Sequence, residues 1–119
     1  MHRKILVILR GSPYGGARGR EGLDAAMLFS AFSDEMSVLF SGDGVWQLQR
    51  GQRPGESHGK PVEAMLGAFE AYDIHRVYAD AAALDERGIA REGLLAGARA
   101  LDADDLRALI AMHDRVVSL

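Results

Sequence analysis

The sequence has no cysteine among its 119 residues. Disulfide bonds are excluded, and so are thiolate ligands and thiolate nucleophiles supplied by this chain. A cysteine-free chain fits a reducing compartment, and a cytoplasmic location is expected. Long apolar runs are missing too. The first, Ile5 to Leu9, is cut off by Arg10. It is too short for the hydrophobic region of a signal peptide, although Met1-His2-Arg3-Lys4 precedes it. No stretch approaches the ~20 apolar residues that span a bilayer, so no membrane association is expected. Nor is there an excess of positive charge. The 14 Lys and Arg are outnumbered by 17 Asp and Glu, for a formal net charge of -3 and a pI of about 5.8. Such a surface repels phosphate backbones overall, so direct nucleic-acid binding is not expected. The local basic clusters, Arg18 with Arg20 and the stretch from Arg50 to Lys60, read as solvated loops.

Catalytic signatures are equally scarce. The Gly-rich segment Gly11-Ser12-Pro13-Tyr14-Gly15-Gly16-Ala17-Arg18-Gly19 lacks the Gly-Lys-Ser/Thr ending of a phosphate-binding P-loop and does not match the dinucleotide fingerprint. Pro13 also removes an amide that such a cradle would use. His2, His58, His75 and His113 form no i,i+4 pair, so neither a metal site nor a cofactor is expected. No Gly-x-Ser-x-Gly elbow surrounds Ser12, Ser41 or Ser57.

What is present is an alternating α/β pattern. With 48% hydrophobic and 26% charged residues, the chain has the composition of an ordinary globular fold, and its length suits one domain spanning residues 1–119. Ile5-Leu6-Val7-Ile8-Leu9 is continuously apolar, which predicts a strand covered on both faces. Glu21 to Phe32 predicts a helix apolar around much of its surface, and hence buried on two sides. Val38-Leu39-Phe40 and Arg76-Val77-Tyr78-Ala79 predict two further strands. A helical turn is expected from Val45 to Gln49, and a helix from Val62 to Tyr72. The segment Gly51 to Pro61, rich in glycine, proline and charge, reads as a loop.

Asp80 stands at a helix N-cap, and Gly88 follows as the C′ residue of a short helix from Ala81 to Arg87. Leu94-Leu95-Ala96 fits either a fourth strand or part of a helix. Leu101-Asp102-Ala103-Asp104-Asp105-Leu106 predicts a capped helix start with Asp102 as N-cap and a hydrophobic staple. His113 falls at the end of that helix, and Val116-Val117 centres a last strand. The order implies right-handed crossovers, a mostly parallel sheet and helices on both faces, a three-layer α/β fold.

In such folds ligands bind at the carboxyl ends of the strands, which selects Asp43 and Asp80 as candidates. Turn chemistry explains Asp43 between two glycines equally well, and capping alone explains Asp80. The paired Asp104 and Asp105 belong to a first helical turn, where they complement the dipole.

The residues also carry a resemblance. Ser12-Pro13-Tyr14-Gly15 with Arg20-Glu21-Gly22-Leu23-Asp24-Ala25 resembles the first loop and helix of the TusC/DsrF family. Phe40, Asp43-Gly44-Val45-Trp46-Gln47-Leu48 and Gly51-Gln52-Arg53-Pro54 are similar to its most distinctive stretch. Tyr72-Asp73-Ile74, Ala82-Ala83-Leu84 with Arg87-Gly88, and His113-Asp114-Arg115-Val116 continue the match in order.

The resemblance implies a DsrE/DsrF-like fold and a sulfur-relay complex. Its partners would be a TusB/DsrH-like subunit, a TusD/DsrE-like subunit carrying the persulfide-forming cysteine, and a TusE/DsrC-like sulfur acceptor. The assembly implied is a heterohexamer. In the Tus branch the sulfur reaches tRNA wobble uridine as 2-thiouridine; in the DsrEFH branch it serves dissimilatory sulfur oxidation. By alignment with the sister subunit, Asp80 stands where the cysteine would be, and no catalytic residue is carried over. Tyr14, Asp43, Trp46, Gln47 and Asp80 are the expected interface or cleft residues. The residues alone also admit a small-ligand enzyme built on the loops around Tyr14, Asp43 and Asp80, or a homo-oligomeric protein of the same fold.

Overall fold

A computed structural model describes residues 3–13, 18–31, 35–50 and 62–119. The expected site residue Tyr14, the end of the first helix at Phe32 and the loop from Gly51 to Pro61 lie outside the described residues.

Five strands form one sheet: β1 (Lys4–Leu9), β2 (Glu35–Phe40), β3 (Arg76–Asp80), β4 (Arg99–Leu101) and β5 (Arg115–Ser118). Their spatial order is β4-β3-β2-β1-β5, and every neighbouring pair is parallel. The helices are α1 (Arg18–Ser30), α2 (Val62–Gly67), α3 (Ala81–Glu86) and α4 (Ala103–Ala111). A 3-10 helix, Gly42–Leu48, follows β2, and 3-10 turns occur at Glu70–Tyr72 and Leu95–Gly97.

This order explains an uneven distribution of layers. From β1 through β4 the chain always steps the same way across the sheet, so right-handed crossovers put α1, α2 and α3 on one face. The step from β4 to β5 runs back across the whole sheet, and the same handedness sends α4 to the other face. The buried clusters agree. Val7 and Leu9, Val38 and Phe40, and Val77 and Ala79 pack with Leu23, Ala26, Leu48, Leu66 and Leu84 in the larger one. Leu6, Ile8 and Leu39 pack with Leu109 in the smaller. The continuous apolar run of β1 is thereby used on both faces, as its pattern predicts.

Several expectations need correction. Leu94-Leu95-Ala96 is neither strand nor regular helix. Gly93, Ala96 and Gly97 all have positive φ, at 70°, 57° and 65°, which breaks both extended and right-handed helical backbone. The fourth strand begins later, at Arg99, and pairs Arg99, Ala100 and Leu101 with Tyr78, Ala79 and Asp80. Second, α1 buries one side only. Gly19, Gly22, Leu23 and Ala26 are covered, whereas Leu28 is 68% exposed. Third, Asp102 has the backbone of an N-cap, but its carboxylate makes no cap hydrogen bond. It lies 3.5 Å from Arg91, which also binds Asp85 at 2.6 Å. Leu101 and Leu106 do pack against the same cluster, the apolar half of the staple.

Hydrogen bonding from Arg91 holds the Asp85 carboxyl below its ordinary pKa. A lowered carboxylate adds stability above its unfolded pKa and loses it as the pH falls through the folded one. At this exposed pair the effect is confined to acid and is small.

His113 follows α4 instead of ending it. Its Nδ1 is 2.6 Å from the Leu109 carbonyl and its Nε2 3.0 Å from the Ser37 hydroxyl. A carbonyl only accepts, so Nδ1 carries the proton and Nε2 faces the hydroxyl. Ser37 is 1% exposed, so this His–Ser pair fastens α4 to β2 and offers no accessible nucleophile.

Candidate functional site at the carboxyl edge

The strand ends expected to carry function converge at β2 and β3. Phe40 is in register with Ala79, so the residues that follow each strand emerge side by side. Asp80 accepts from the Ala82 amide at 3.1 Å through Oδ1, capping α3 as its position predicts. Its Oδ2 receives a long hydrogen bond from the Ser41 hydroxyl at 3.4 Å. At the other end of α3, the Ile89 amide donates to Leu84 at 2.9 Å beyond Gly88, whose φ is 66°. That closes the helix in the manner expected of a C′ glycine.

Asp43 projects from the start of the 3-10 helix, and its Oδ1 accepts from both Nε and Nη2 of Arg87, at 3.1 and 3.0 Å. Arg87 also donates to the Ala83 carbonyl at 3.1 Å. Ser41 and Arg87 are therefore the residues missed by sequence reasoning. They lie 39 and 44 positions from their partners, and only strand pairing brings them near. No local motif predicts either contact.

Trp46 and Gln47 have different surroundings. Trp46 is partly buried against the larger core cluster. Gln47 is fully buried, and its amide donates to the Gly11 carbonyl at 2.7 Å. It anchors the loop after β1 from inside.

Among the described residues, the pairs at this edge are a helix cap and an ion pair. Among the described residues, no group of three or more His, Asp or Glu side chains is placed to hold a metal ion. No described helix is long and apolar enough to cross a membrane. An open hollow of about 320 Å³ lies elsewhere, lined by Arg50, Leu66, Phe69, Glu70, His75 and Leu95 among others. Its lining includes none of Asp43, Trp46, Gln47 or Asp80.

Capping gives Asp80 a testable structural weight. Asp80→Ala should lower stability by about 1 kcal/mol, with Asp80→Asn retaining most of it, as read from urea denaturation midpoints. Equal losses in the two variants would show that charge at this position matters more than capping.

The sequence profile of the DsrE/DsrF-like family matches residues 3–119. The chain is 37% identical over 119 residues to the Protein TusC homolog of Pseudomonas aeruginosa, covering all of both chains. It is 35% identical over 115 residues to that of Vibrio parahaemolyticus, covering 97% of this chain and 98% of the relative. It is 37% identical over 116 residues to Protein TusC of Escherichia fergusonii, with the same shares covered. Among solved structures, the ychN protein of Escherichia coli superposes with a TM-score of 0.81 at 25% identity, covering 98% of this chain and 99% of that one.

Proposed function

Because this chain belongs to the DsrE/DsrF-like family, we propose that it acts as a non-catalytic subunit of a TusBCD-like sulfur-relay complex. The observation that carries this reading is the state of Asp80. At a strand end and helix N-terminus, a thiol would be activated as a thiolate. The residue there is a carboxylate already engaged by the Ala82 amide and the Ser41 hydroxyl. A carboxylate does not form a persulfide, and the sequence holds no cysteine that would. The sulfur-carrying thiol then belongs to a TusD/DsrE-like partner. This chain, with a TusB/DsrH-like subunit, would hold that partner in position for a TusE/DsrC-like acceptor.

The relatives named TusC favour the tRNA 2-thiolation branch over DsrEFH-like sulfur oxidation. The reading is tested by light scattering on a sizing column, with the chain expressed alone and together with cysteine-bearing relatives. A stoichiometric hetero-oligomer is expected, along with loss of persulfide transfer to the acceptor when this chain is left out. If the chain elutes at the same mass with and without those partners, the subunit reading fails.

A further inference from the structure

We infer that the open hollow between the end of α2 and the turn at Leu95 is a binding site for a free α-amino acid with an apolar side chain. The site is independent of the sulfur-relay reading.

At about 320 Å³ the hollow has the volume of a small-molecule site. Its floor is apolar. Leu66, Phe69, Ile74 and Leu95 line it, and all four are buried members of the larger core cluster. The hollow therefore opens directly onto the core.

Arg50, Glu70 and His75 line the same space, and their states differ. The His75 ring is already held, with Nε2 2.8 Å from Asp73 Oδ1. Arg50 donates through Nε to the Gly93 carbonyl at 2.8 Å, which tethers the guanidinium. Among the described residues, nothing accepts from its two terminal nitrogens, and the Glu70 carboxylate has no partner. A cation and an anion thus line one hollow without pairing with each other.

The backbone points to the same place. Asp73 and Ala96 are the two non-glycine residues with positive φ among the described residues, at 61° and 57°. Ala96 lines the hollow, and Asp73 holds the His75 ring that also lines it. Alanine has no polar side chain with which to support a left-handed backbone. Such conformations persist where the surrounding structure imposes them, and they cluster at ligand sites. Ala96 directly follows Leu95, so the strained residue shapes the wall itself.

An apolar amino acid answers each feature. Its carboxylate takes the terminal nitrogens of Arg50, the fork geometry that a guanidinium favours. Its ammonium group meets Glu70, and its side chain covers the apolar floor. An apolar acid would place a second negative charge near an unpaired Glu70. An apolar amine would do the converse at Arg50. The zwitterion neutralises both.

The test is a titration of the isotope-labelled full chain with L-phenylalanine, followed through amide chemical shifts. Saturable shifts from Leu66 to Ile74 and from Leu95 to Gly97 are expected, with a Kd of about 1 mM, weak as befits an open site. Phenylpropionate lacks the ammonium group and phenethylamine the carboxylate. Each should bind about tenfold more weakly, the loss that follows removal of one charge-assisted contact. Arg50→Gln and Glu70→Gln should each weaken phenylalanine binding by about the same factor. Both side chains are exposed. Glu70→Gln removes no side-chain contact among the described residues, so it tests the site even if Arg50→Gln disturbs the loop at Gly93. Absence of saturable shifts at the solubility limit of phenylalanine would overturn the site. So would equal binding of phenylpropionate, or wild-type affinity in the Glu70→Gln variant.

Discussion

Gly44→Ala is expected to destabilise the chain by about 3 kcal/mol, the upper range for forced overpacking. A Cβ at this position would sit 2.2 Å from the Leu9 carbonyl oxygen and 2.9 Å from its carbon. Both are backbone atoms at the end of β1, so no side-chain rotation relieves the clash. Either β1 or the 3-10 helix must move. If β1 moves, the Ser41 amide loses the Leu9 carbonyl it donates to at 3.0 Å; if the helix moves, Gln47 loses Gly11. For a domain of this size the melting temperature should fall by roughly 10–20 °C. Gly67→Ala is the matched control. Nothing lies within 4 Å of the added atom, and α2 should gain a few tenths of a kcal/mol from the better helix former. Calorimetry on the two variants separates the close approach from a general intolerance of alanine for glycine. Equal melting temperatures for them would refute the crowding argument.

Phe40→Ala should cost more, about 3–5 kcal/mol. Phe40 is fully buried at the end of β2, among the largest side chains with no exposure. Its truncation leaves a cavity between backbone elements that cannot collapse, since β2 is hydrogen-bonded on both sides, to β1 and β3. Against the 5–15 kcal/mol stability of an ordinary domain, that loss brings the chain near unfolding. Phe40→Leu keeps most of the volume and should cost well under half as much. Guanidinium unfolding of both variants provides the check, and a small loss for the alanine variant would mean that the cluster relaxes into the space.

These two residues belong to the stretch that carries the family resemblance, and their roles say what that stretch reports. Gly44 admits the β1 backbone, Val45 and Leu48 are buried, Gln47 ties down the loop after β1, and Asp43 holds Arg87. The Asp-Gly-Val-Trp-Gln-Leu element is a packing device. It identifies the fold family well because so many of its side chains are committed to the interior.

The elements legible in the sequence are those whose cause is local. An unbroken apolar run such as Ile5 to Leu9 demands cover on both faces wherever it lies. Asp80 can reach the amide two residues ahead without help from the rest of the chain, and Gly88 can adopt a positive φ at no steric cost. The alternation of strands and helices, with the handedness common to crossovers, was sufficient for a parallel three-layer fold. The tertiary structure alone decided which strand lies beside which, and with that the rest followed. The strand β4 exists because Arg99, Ala100 and Leu101 find partners on β3, not because of any strong pattern of their own. Gln47 looks like a surface residue in sequence and is buried because the carbonyl of Gly11 awaits it 36 positions away. The meeting of Ser41 with Asp80 and of Arg87 with Asp43, and the placement of α4 on the face opposite α1 and α3, follow from strand order. Strand order is set by contacts between distant segments, whose energies depend on the whole sheet and leave no periodic trace along the chain.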